Sequence, residues 1–177
     1  FSVALSADGQ LAMSGGNDAT VKLWNVTTGK CLHTLASAGS SVALSANGHL
    51  GLSAGQSENV LRLWDVTTGK CVRTIQGLVG RFHSLAMSCD CSLALSNSGG
   101  ALSRERSLKL WNVATGTCLR SFGPDMGFRG SVALSLDCRL ALTGGTSLKL
   151  WEIETGDCLR TFTGHTLEVN SVALSSD

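Results

Sequence analysis

The stretch of sequence that decides the fold is residues 21–35, VKLWNVTTGKCLHTL. It returns three times with few changes, as LRLWDVTTGKCVRTI at 61–75, LKLWNVATGTCLRSF at 108–122 and LKLWEIETGDCLRTF at 148–162. Successive copies of its tryptophan are 40, 47 and 40 residues apart. This spacing predicts a repeat protein in which each copy belongs to one structural unit.

A second recurring piece, SVALS, precedes each copy of the first. It begins at residues 2, 41, 131 and 171, and the related SLAMS begins at residue 84. Each period is predicted to contain four short antiparallel strands, with the small residues of SVALS in the innermost strand. Asp-Gly or Asn-Gly follows this strand in two copies and suits a tight hairpin turn. Cys91 and Cys138 replace the glycine in two others, so those turns are expected to differ in type.

A fixed period of this length with four strands per unit resembles the WD40 repeat, and the resemblance covers the whole chain. It implies an all-β fold made of β-propeller blades, with about four blades in the chain. Residues 1–177 then form a single WD40 region. The predicted repeats are residues 1–39, 40–82, 83–129 and 130–169, with 170–177 as the first strand of a fifth.

The number of blades leaves three arrangements open. Propellers close with about four to eight blades, and WD40-type rings usually have about seven or eight. The chain is expected to form part of such a ring within a longer chain, because both Phe1 and the last residues fall inside the repeat pattern. The first alternative is a homo-oligomer in which a second copy closes an eight-bladed ring. A closed ring of four blades is the least favoured, since it needs a much steeper wedge.

The resemblance also assigns structural roles. In the WD40 family a Gly-His pair, a Ser or Thr, an Asp and the Trp form a buried hydrogen-bonded group. Ser14, Asp18 and Trp24 match it in the first repeat, and Gly164-His165 matches it at the start of the fifth, so His165 is expected to be buried. The other tryptophans in the same slot are Trp64, Trp111 and Trp151. The central repeats lack the Gly-His pair, so the group is expected to be weakened there.

Composition and motifs argue against several classes of function. A net charge of +1, from 14 basic and 13 acidic side chains, gives no electrostatic signature for nucleic acid or an anionic membrane. There is no nucleophile elbow, phosphate loop or pair of catalytic carboxylates, so neither an enzyme nor a cofactor is predicted. Cys89 and Cys91, with Cys138, are a weak pattern for zinc, and no metal site is predicted. One cysteine recurs per repeat, which favours reduced thiols in the cytoplasm.

Two functions remain. The resemblance implies a non-catalytic scaffold that binds a protein or peptide partner on the propeller face. The alternative is the regulatory or sensor region of a larger multidomain signalling enzyme, with a kinase, protease or NTPase domain elsewhere.

Two surfaces are candidates for partner contact. The first is the residue just before each innermost strand, which faces the binding surface in the family and varies here: Phe1, Ser40, His83, Gly130 and Asn170. The second is formed by two insertions, residues 96–107 and 123–130, which propeller topology places on the same face. They carry residues typical of interface hot spots, namely Arg104, Arg106, Met126, Phe128 and Arg129. Met126 and Phe128 could instead only anchor the loops.

Overall fold

The computed structural model describes residues 2–37, 39–55, 59–77, 81–99, 106–123 and 130–175. Within these ranges the chain forms 16 β-strands, numbered in chain order. The same ranges contain no helix that is long and apolar enough to cross a membrane. The regular structure described is therefore entirely β, as the repeat pattern predicts.

The strands form four separate antiparallel sheets, and each sheet contains four consecutive strands in chain order. The first sheet consists of β1(Ser2–Leu5), β2(Leu11–Gly15), β3(Thr20–Asn25) and β4(Cys31–Ala36). The second consists of β5(Gly39–Leu44), β6(Leu50–Gly55), β7(Leu61–Asp65) and β8(Lys70–Ile75). The third consists of β9(Arg81–Met87), β10(Leu93–Gly99), β11(Arg106–Asn112) and β12(Cys118–Phe122). The fourth consists of β13(Val132–Leu134), β14(Leu140–Thr143), β15(Leu148–Glu152) and β16(Cys158–Phe162).

The four sheets are the blades of a partial β-propeller, so the predicted fold class is confirmed. In every blade SVALS or its relative forms the first strand and the tryptophan lies in the third. Strands β5 and β9 begin at Gly39 and Arg81, slightly before the predicted second and third repeats begin. The exact limits of the repeats stay predictions.

The blades pack face to face through one repeated contact. Between the first and second blades, Val21, Leu23 and Leu35 pack against Trp64 and Val66. The next two joints use the same slots: Leu61, Leu63 and Ile75 with Trp111 and Val113, then Leu108, Leu110 and Phe122 with Trp151 and Ile153. Each of these tryptophans therefore fills the joint with the preceding blade, where flat apolar faces exclude water.

The turns after the innermost strands share one geometry, including those with cysteine. The φ angles of Cys91 and Cys138 are 63° and 59°, close to the 67° and 71° of Gly9 and Gly48. The expectation of a different turn type is therefore wrong. In the Cys91 turn, the Asp90 carboxylate accepts hydrogen bonds from the Ser88 hydroxyl at 2.6 Å and the Ser92 amide at 3.0 Å. These bonds offset the cost of about 1–2 kcal/mol for a non-glycine residue in the left-handed region.

The carboxylates in these turns make the free energy of unfolding depend on pH. The Ser88 hydroxyl and the Ser92 amide hold the pKa of Asp90 below its usual value, and Asp8 and Asp137 have the corresponding partners in their turns. A carboxyl with a lowered folded-state pKa stabilises the fold above its unfolded value of about 4, and this stabilisation is lost as the pH falls further. We therefore expect these carboxylates to leave the free energy of unfolding unchanged between about pH 7 and 5 and to lower it below about pH 4.

Urea unfolding across this pH range measures the effect. Asp90→Asn is the control, because the amide oxygen still accepts hydrogen bonds but the side chain no longer titrates in this range. The variant should lose less stability than the parent between pH 5 and 3. Equal losses would show that the Asp90 turn is not one source of the acid sensitivity.

Candidate functional site

The innermost strands of the four blades surround one cavity of about 700 Å³. Strands β1, β5, β9 and β13 line it, and residues 170–174 line it beside them. Each of these strands contains an alanine, three of them also contain serine, and these small side chains allow the blades to converge beside the valines and leucines. The cavity is consequently shaped by the repeat, and the residues that differ between repeats give it its particular chemistry.

His83 and Asn170 are two such residues. Both precede an innermost strand, and both line the central cavity. The His83 ring is half-buried, and its Nε2 lies 3.1 Å from the carbonyl oxygen of Gly99. Asn170 is exposed. The structure thus brings two members of the predicted top-face column to the same cavity.

The other three members of that column are placed differently. Gly130 is buried, and a Cβ atom built on it would overlap the carbonyl oxygen of Gly144. Its own carbonyl oxygen accepts a hydrogen bond from Asn97 Nδ2 at 2.7 Å. Gly130 is therefore a packing position, and its predicted role in partner contact does not fit this burial. Ser40 belongs to β5, but its side chain, like the whole of Phe1, lies outside the described part of the structure.

The first insertion is shorter than the sequence suggests. Residues 96–107 were expected to form a loop, yet β10 continues to Gly99 and β11 begins at Arg106. The two strands pair further along their length here, since Ser98 and Gly99 lie opposite Ser107 and Arg106, and the Ser98 and Ser107 hydroxyls lie 3.1 Å apart. Arg104, Met126, Phe128, Arg129 and the side chain of Arg106 lie outside the described residues.

The described ends of the two insertions meet at the joint between the third and fourth blades. Asn97 lies near the end of β10, where the first insertion begins, and Gly130 lies where the second ends. The hydrogen bond from Asn97 Nδ2 to Gly130 O joins them, and both residues are buried. Sequence reasoning did not single out Asn97, although its segment SNS replaces the SGG of the first repeat.

All four tryptophans keep half of the family hydrogen-bonded group. The Nε1 atom of each donates to a hydroxyl in the second strand at 2.8–2.9 Å, and the acceptors are Ser14, Ser53, Ser96 and Thr143. The central blades therefore retain this contact without the Gly-His pair, and the rest of the group is missing there as expected. A direct hydroxyl partner satisfies the indole N–H within one blade, and this requires nothing from a histidine.

Asp18 and His165 do not join this group. Asp18 is exposed, and its Oδ1 accepts hydrogen bonds from the Thr20 amide at 3.1 Å and the Thr20 hydroxyl at 2.8 Å. These bonds hold the pKa of Asp18 below its usual value. His165 is also exposed, so the expectation that it is buried is wrong. Its family partners would lie on the second and third strands of a fifth blade, and no such strands occur among the described residues.

Cys89, Cys91 and Cys138 lie in the turns of the third and fourth blades. The Cys89 thiol donates to the carbonyl oxygen of Leu136 at 3.4 Å, which ties the third blade to the fourth. Burial raises the pKa of Cys91 and of Cys138 and so disfavours the thiolate, the form that binds metals and attacks electrophiles. In the described part of the chain, no three His, Cys, Asp or Glu side chains are grouped as a metal site would need.

Comparison with known proteins supports the assignment of the repeats. The family model for the WD domain, G-beta repeat, matches residues 1–25 and 156–177. The fold is similar to that of hydrazine synthase from Kuenenia stuttgartiensis, with a TM-score of 0.80 and 14% sequence identity over 91% of this chain. The chain spans 48% of the length of that protein chain, and the likeness concerns the fold alone. No curated protein sequence matches the chain. The two matched segments and the four four-stranded blades agree with the WD40-type repeats that the sequence pattern predicts.

Proposed function

We propose that the chain is a non-catalytic scaffold that binds a protein or peptide partner on the propeller face around the central cavity. One observation carries the proposal. The positions that hold the blades together repeat from blade to blade, whereas the positions that precede the innermost strands vary, and two of these, His83 and Asn170, line the cavity. Variable side chains on a rigid repeated framework are how repeat proteins present binding surfaces.

The chemistry of the cavity favours a polar segment of a protein over a small apolar ligand. Sites for small molecules are mostly enclosed and lined by apolar and aromatic side chains. Here serine side chains, His83 and Asn170 offer groups that donate and accept hydrogen bonds beside the valines and leucines of the innermost strands, and no aromatic side chain other than His83 is among the lining residues. A peptide can use such groups through its own backbone, which offers one donor and one acceptor at most residues.

The insertions at the joint between the third and fourth blades belong to the same proposal. Their described ends lie together through the contact between Asn97 and Gly130. A partner seated over the cavity would then meet Arg104, Arg106 and Arg129 with Met126 and Phe128, the composition enriched in binding hot spots.

Other properties are proposed in keeping with this function. The balanced charge of the sequence supports a partner other than nucleic acid or membrane. The seven cysteines are all free, as is usual in the cytoplasm. A homo-oligomer in which a second copy of the chain closes the ring is a further element of the proposal. The role of a regulatory region in a larger enzyme stays an alternative prediction.

Peptides selected from a random library against the purified chain would test the scaffold function. We expect Asn170→Ala to weaken binding of the selected peptides about tenfold, because a central polar contact is typically worth more than about 1 kcal/mol. Arg106→Ala and Phe128→Ala should weaken it as well if the insertions take part. Lys30→Ala is the matched control, since Lys30 is exposed on the rim.

Isothermal titration of one selected peptide against each variant gives the comparison. Equal affinities for the parent, Asn170→Ala and Lys30→Ala would contradict the proposed binding face. A loss with Lys30→Ala alone would place the partner on the rim.

A further inference from the structure

The turns after the innermost strands bring two cysteines of neighbouring blades to the same atom. The Cys89 thiol, in the turn of the third blade, donates to the carbonyl oxygen of Leu136 at 3.4 Å. The Cys138 thiol, in the turn of the fourth blade, lies 3.8 Å from that same oxygen. The two sulfur atoms are therefore no more than about 7 Å apart, and rotation about χ1 can shorten this distance toward the ~2 Å of a disulfide bond.

The repeat explains why the Cys138 side chain points toward the third blade. Cys138 occupies the slot of Gly48 in the second blade and has a similar φ angle. A Cβ atom built on Gly48 would lie 3.5 Å from the Cβ atom of Ser6, in the turn of the preceding blade. The slot of Ser6 is filled in the third blade by Ser88, which directly precedes Cys89. The same direction therefore aims the Cys138 side chain at the turn that holds Cys89.

The electrostatic surroundings of Cys138 agree with this placement. Burial raises the pKa of its thiol, and the Asp90 carboxylate and the Cys89 sulfur raise it further. Both of these groups belong to the turn of the third blade, and a charge acts in this way only when it is close to the titrating group. The Cys138 sulfur consequently lies beside the Cys89 sulfur across the joint.

Cys91 has the same slot as Cys138 but faces a different blade. Both cysteines are half-buried, and their φ angles are 63° and 59°. The Cys91 thiol lies beside Ser45 of the second blade and 3.9 Å from the backbone oxygen of Cys89. The residue after Ser45 is Ala46, so the second blade has no thiol in the slot of Cys89. The third blade thus directs Cys89 toward the fourth blade and Cys91 toward the second.

The cysteines of the outermost strands are arranged differently. Each is exposed, and each thiol donates to the carbonyl oxygen two residues further along its own strand, at 3.3–3.6 Å. This set consists of Cys31, Cys71, Cys118 and Cys158. These contacts stay within one blade, whereas Cys89 and Cys138 meet across a joint.

We propose that Cys89 and Cys138 are a redox-active pair that forms a disulfide bond between the third and fourth blades when the chain meets a small-molecule disulfide such as oxidised glutathione. The pair is independent of the proposed binding face. In the reduced chain both residues are free thiols. Disulfides of cytoplasmic proteins are usually transient and sense the redox state, which is the behaviour expected of this pair.

The reaction proceeds by two thiol–disulfide exchanges. Cys89 is exposed and reacts first: its thiolate attacks one sulfur of oxidised glutathione, forms a mixed disulfide and releases one glutathione thiolate. The Cys138 thiol then loses its proton to solvent, and its sulfur attacks Cys89 Sγ and releases the second glutathione thiolate. Two protein thiols are oxidised by two electrons in total. One glutathione disulfide is reduced to two thiols, which take up the two protons.

The bond would brace the joint between the third and fourth blades. It closes a loop of about 50 residues, from Cys89 to Cys138, and a crosslink across a long loop stabilises a fold mainly by constraining the unfolded chain. The same joint holds the hydrogen bond from Asn97 to Gly130. We therefore expect the oxidised chain to melt about 5–10 °C above the reduced chain.

Variants that use residues of the other blades test the pair without disturbing the turns. Cys89→Ala introduces the alanine found in this slot in the first two blades, and Cys138→Gly introduces the glycine found in its slot there. Cys91→Gly is the matched control, because it makes the same change as Cys138→Gly at a thiol that faces the second blade. Circular dichroism checks that all three variants keep the β fold.

Peptide mapping after oxidation identifies the bond. Each reduced protein is incubated with oxidised glutathione, alkylated under denaturing conditions and digested with trypsin without reduction. Trypsin cleaves after Lys and Arg, so residues 82–104 carry Cys89 and Cys91, and residues 130–139 carry Cys138. We expect mass spectrometry to find these two peptides linked in the parent and in Cys91→Gly. The linked peptide and the rise in Tm on oxidation should both be lost from Cys89→Ala and Cys138→Gly.

The contrary results are equally specific. A linked peptide that persists in Cys89→Ala but is lost from Cys91→Gly would overturn the assignment, since Cys91 would then be the partner of Cys138. A bond within residues 82–104, or glutathione mixed disulfides without a linked peptide, would also overturn it. Non-reducing electrophoresis should show the linked peptide in a species with the mass of one chain. Its presence only in species of two chains would contradict a bond within the chain. The peptide-binding experiment decides the scaffold function separately.

Discussion

Replacing Trp111 by alanine is expected to lower the free energy of unfolding by about 3–5 kcal/mol, the usual cost of truncating a buried aromatic side chain. Trp111 is 2% exposed and belongs to the core between the second and third blades. The substitution leaves a cavity in that joint and removes the hydrogen bond from Nε1 to Ser96 Oγ at 2.9 Å. Ser96 is itself fully buried, so its hydroxyl would lose its indole partner away from water.

Thermal unfolding followed by circular dichroism measures this loss. For a chain of this length about 1 kcal/mol shifts the Tm by about 2–4 °C, so a fall of about 10 °C is expected. Leu119→Ala is the control in the same blade, because Leu119 lies on the outermost strand and is 52% exposed. The control should change stability by no more than about 0.5 kcal/mol. Equal melting temperatures for the two variants would show that the tryptophan slot does not hold the joint.

Trp111 also illustrates how much of the fold could be predicted from the sequence. Its period, its apolar neighbours and the turns around it predict a third strand buried on both faces, and the blade confirms that placement. Such features are local and are repeated four times, so each copy supports the interpretation of the others. The family group was expected to be weakened in this blade, because the blade has no Gly-His pair. The structure shows that the tryptophan and the serine keep their hydrogen bond without it.

The expectations that were wrong depend on what lies next to a residue in space. Cys91 was expected to alter its turn, yet neighbouring Ser88 and Ser92 hold Asp90 and keep the left-handed backbone. His165 matched a buried family slot, but burial requires strands of a further blade around it. A sequence motif specifies the residue at a slot, whereas burial depends on which other strands are present.

The candidate binding face could be predicted only in part, because the space around a residue depends on its neighbours in the fold. The variable position before each innermost strand is visible in the sequence, and His83 and Asn170 do line the cavity. Whether such a position has room for a side chain depends on the neighbouring blade. At Gly130 that neighbour is the backbone of Gly144, which no sequence pattern reveals.

Gly130 therefore gives the second large expected effect. We expect Gly130→Ala to destabilise the chain by about 2–3 kcal/mol, within the usual cost of adding volume to a packed site. The new Cβ atom would overlap the Gly144 carbonyl oxygen, which belongs to the backbone and cannot rotate away as a side chain would. Any shift of the Gly130 backbone would also strain the 2.7 Å hydrogen bond that Asn97 donates to it.

Gly123→Ala is the matched control for this substitution. It makes the same chemical change at the other end of the second insertion, where a Cβ atom would meet nothing within 4 Å. Urea unfolding of the two variants should therefore separate the cost of the overlap from the general effect of replacing glycine by alanine, which is often slightly stabilising. Similar free energies of unfolding for both variants would mean that Gly130 has room for a side chain. It would then return to the set of residues able to contact a partner, and Gly130→Ala could be added to the peptide-binding comparison.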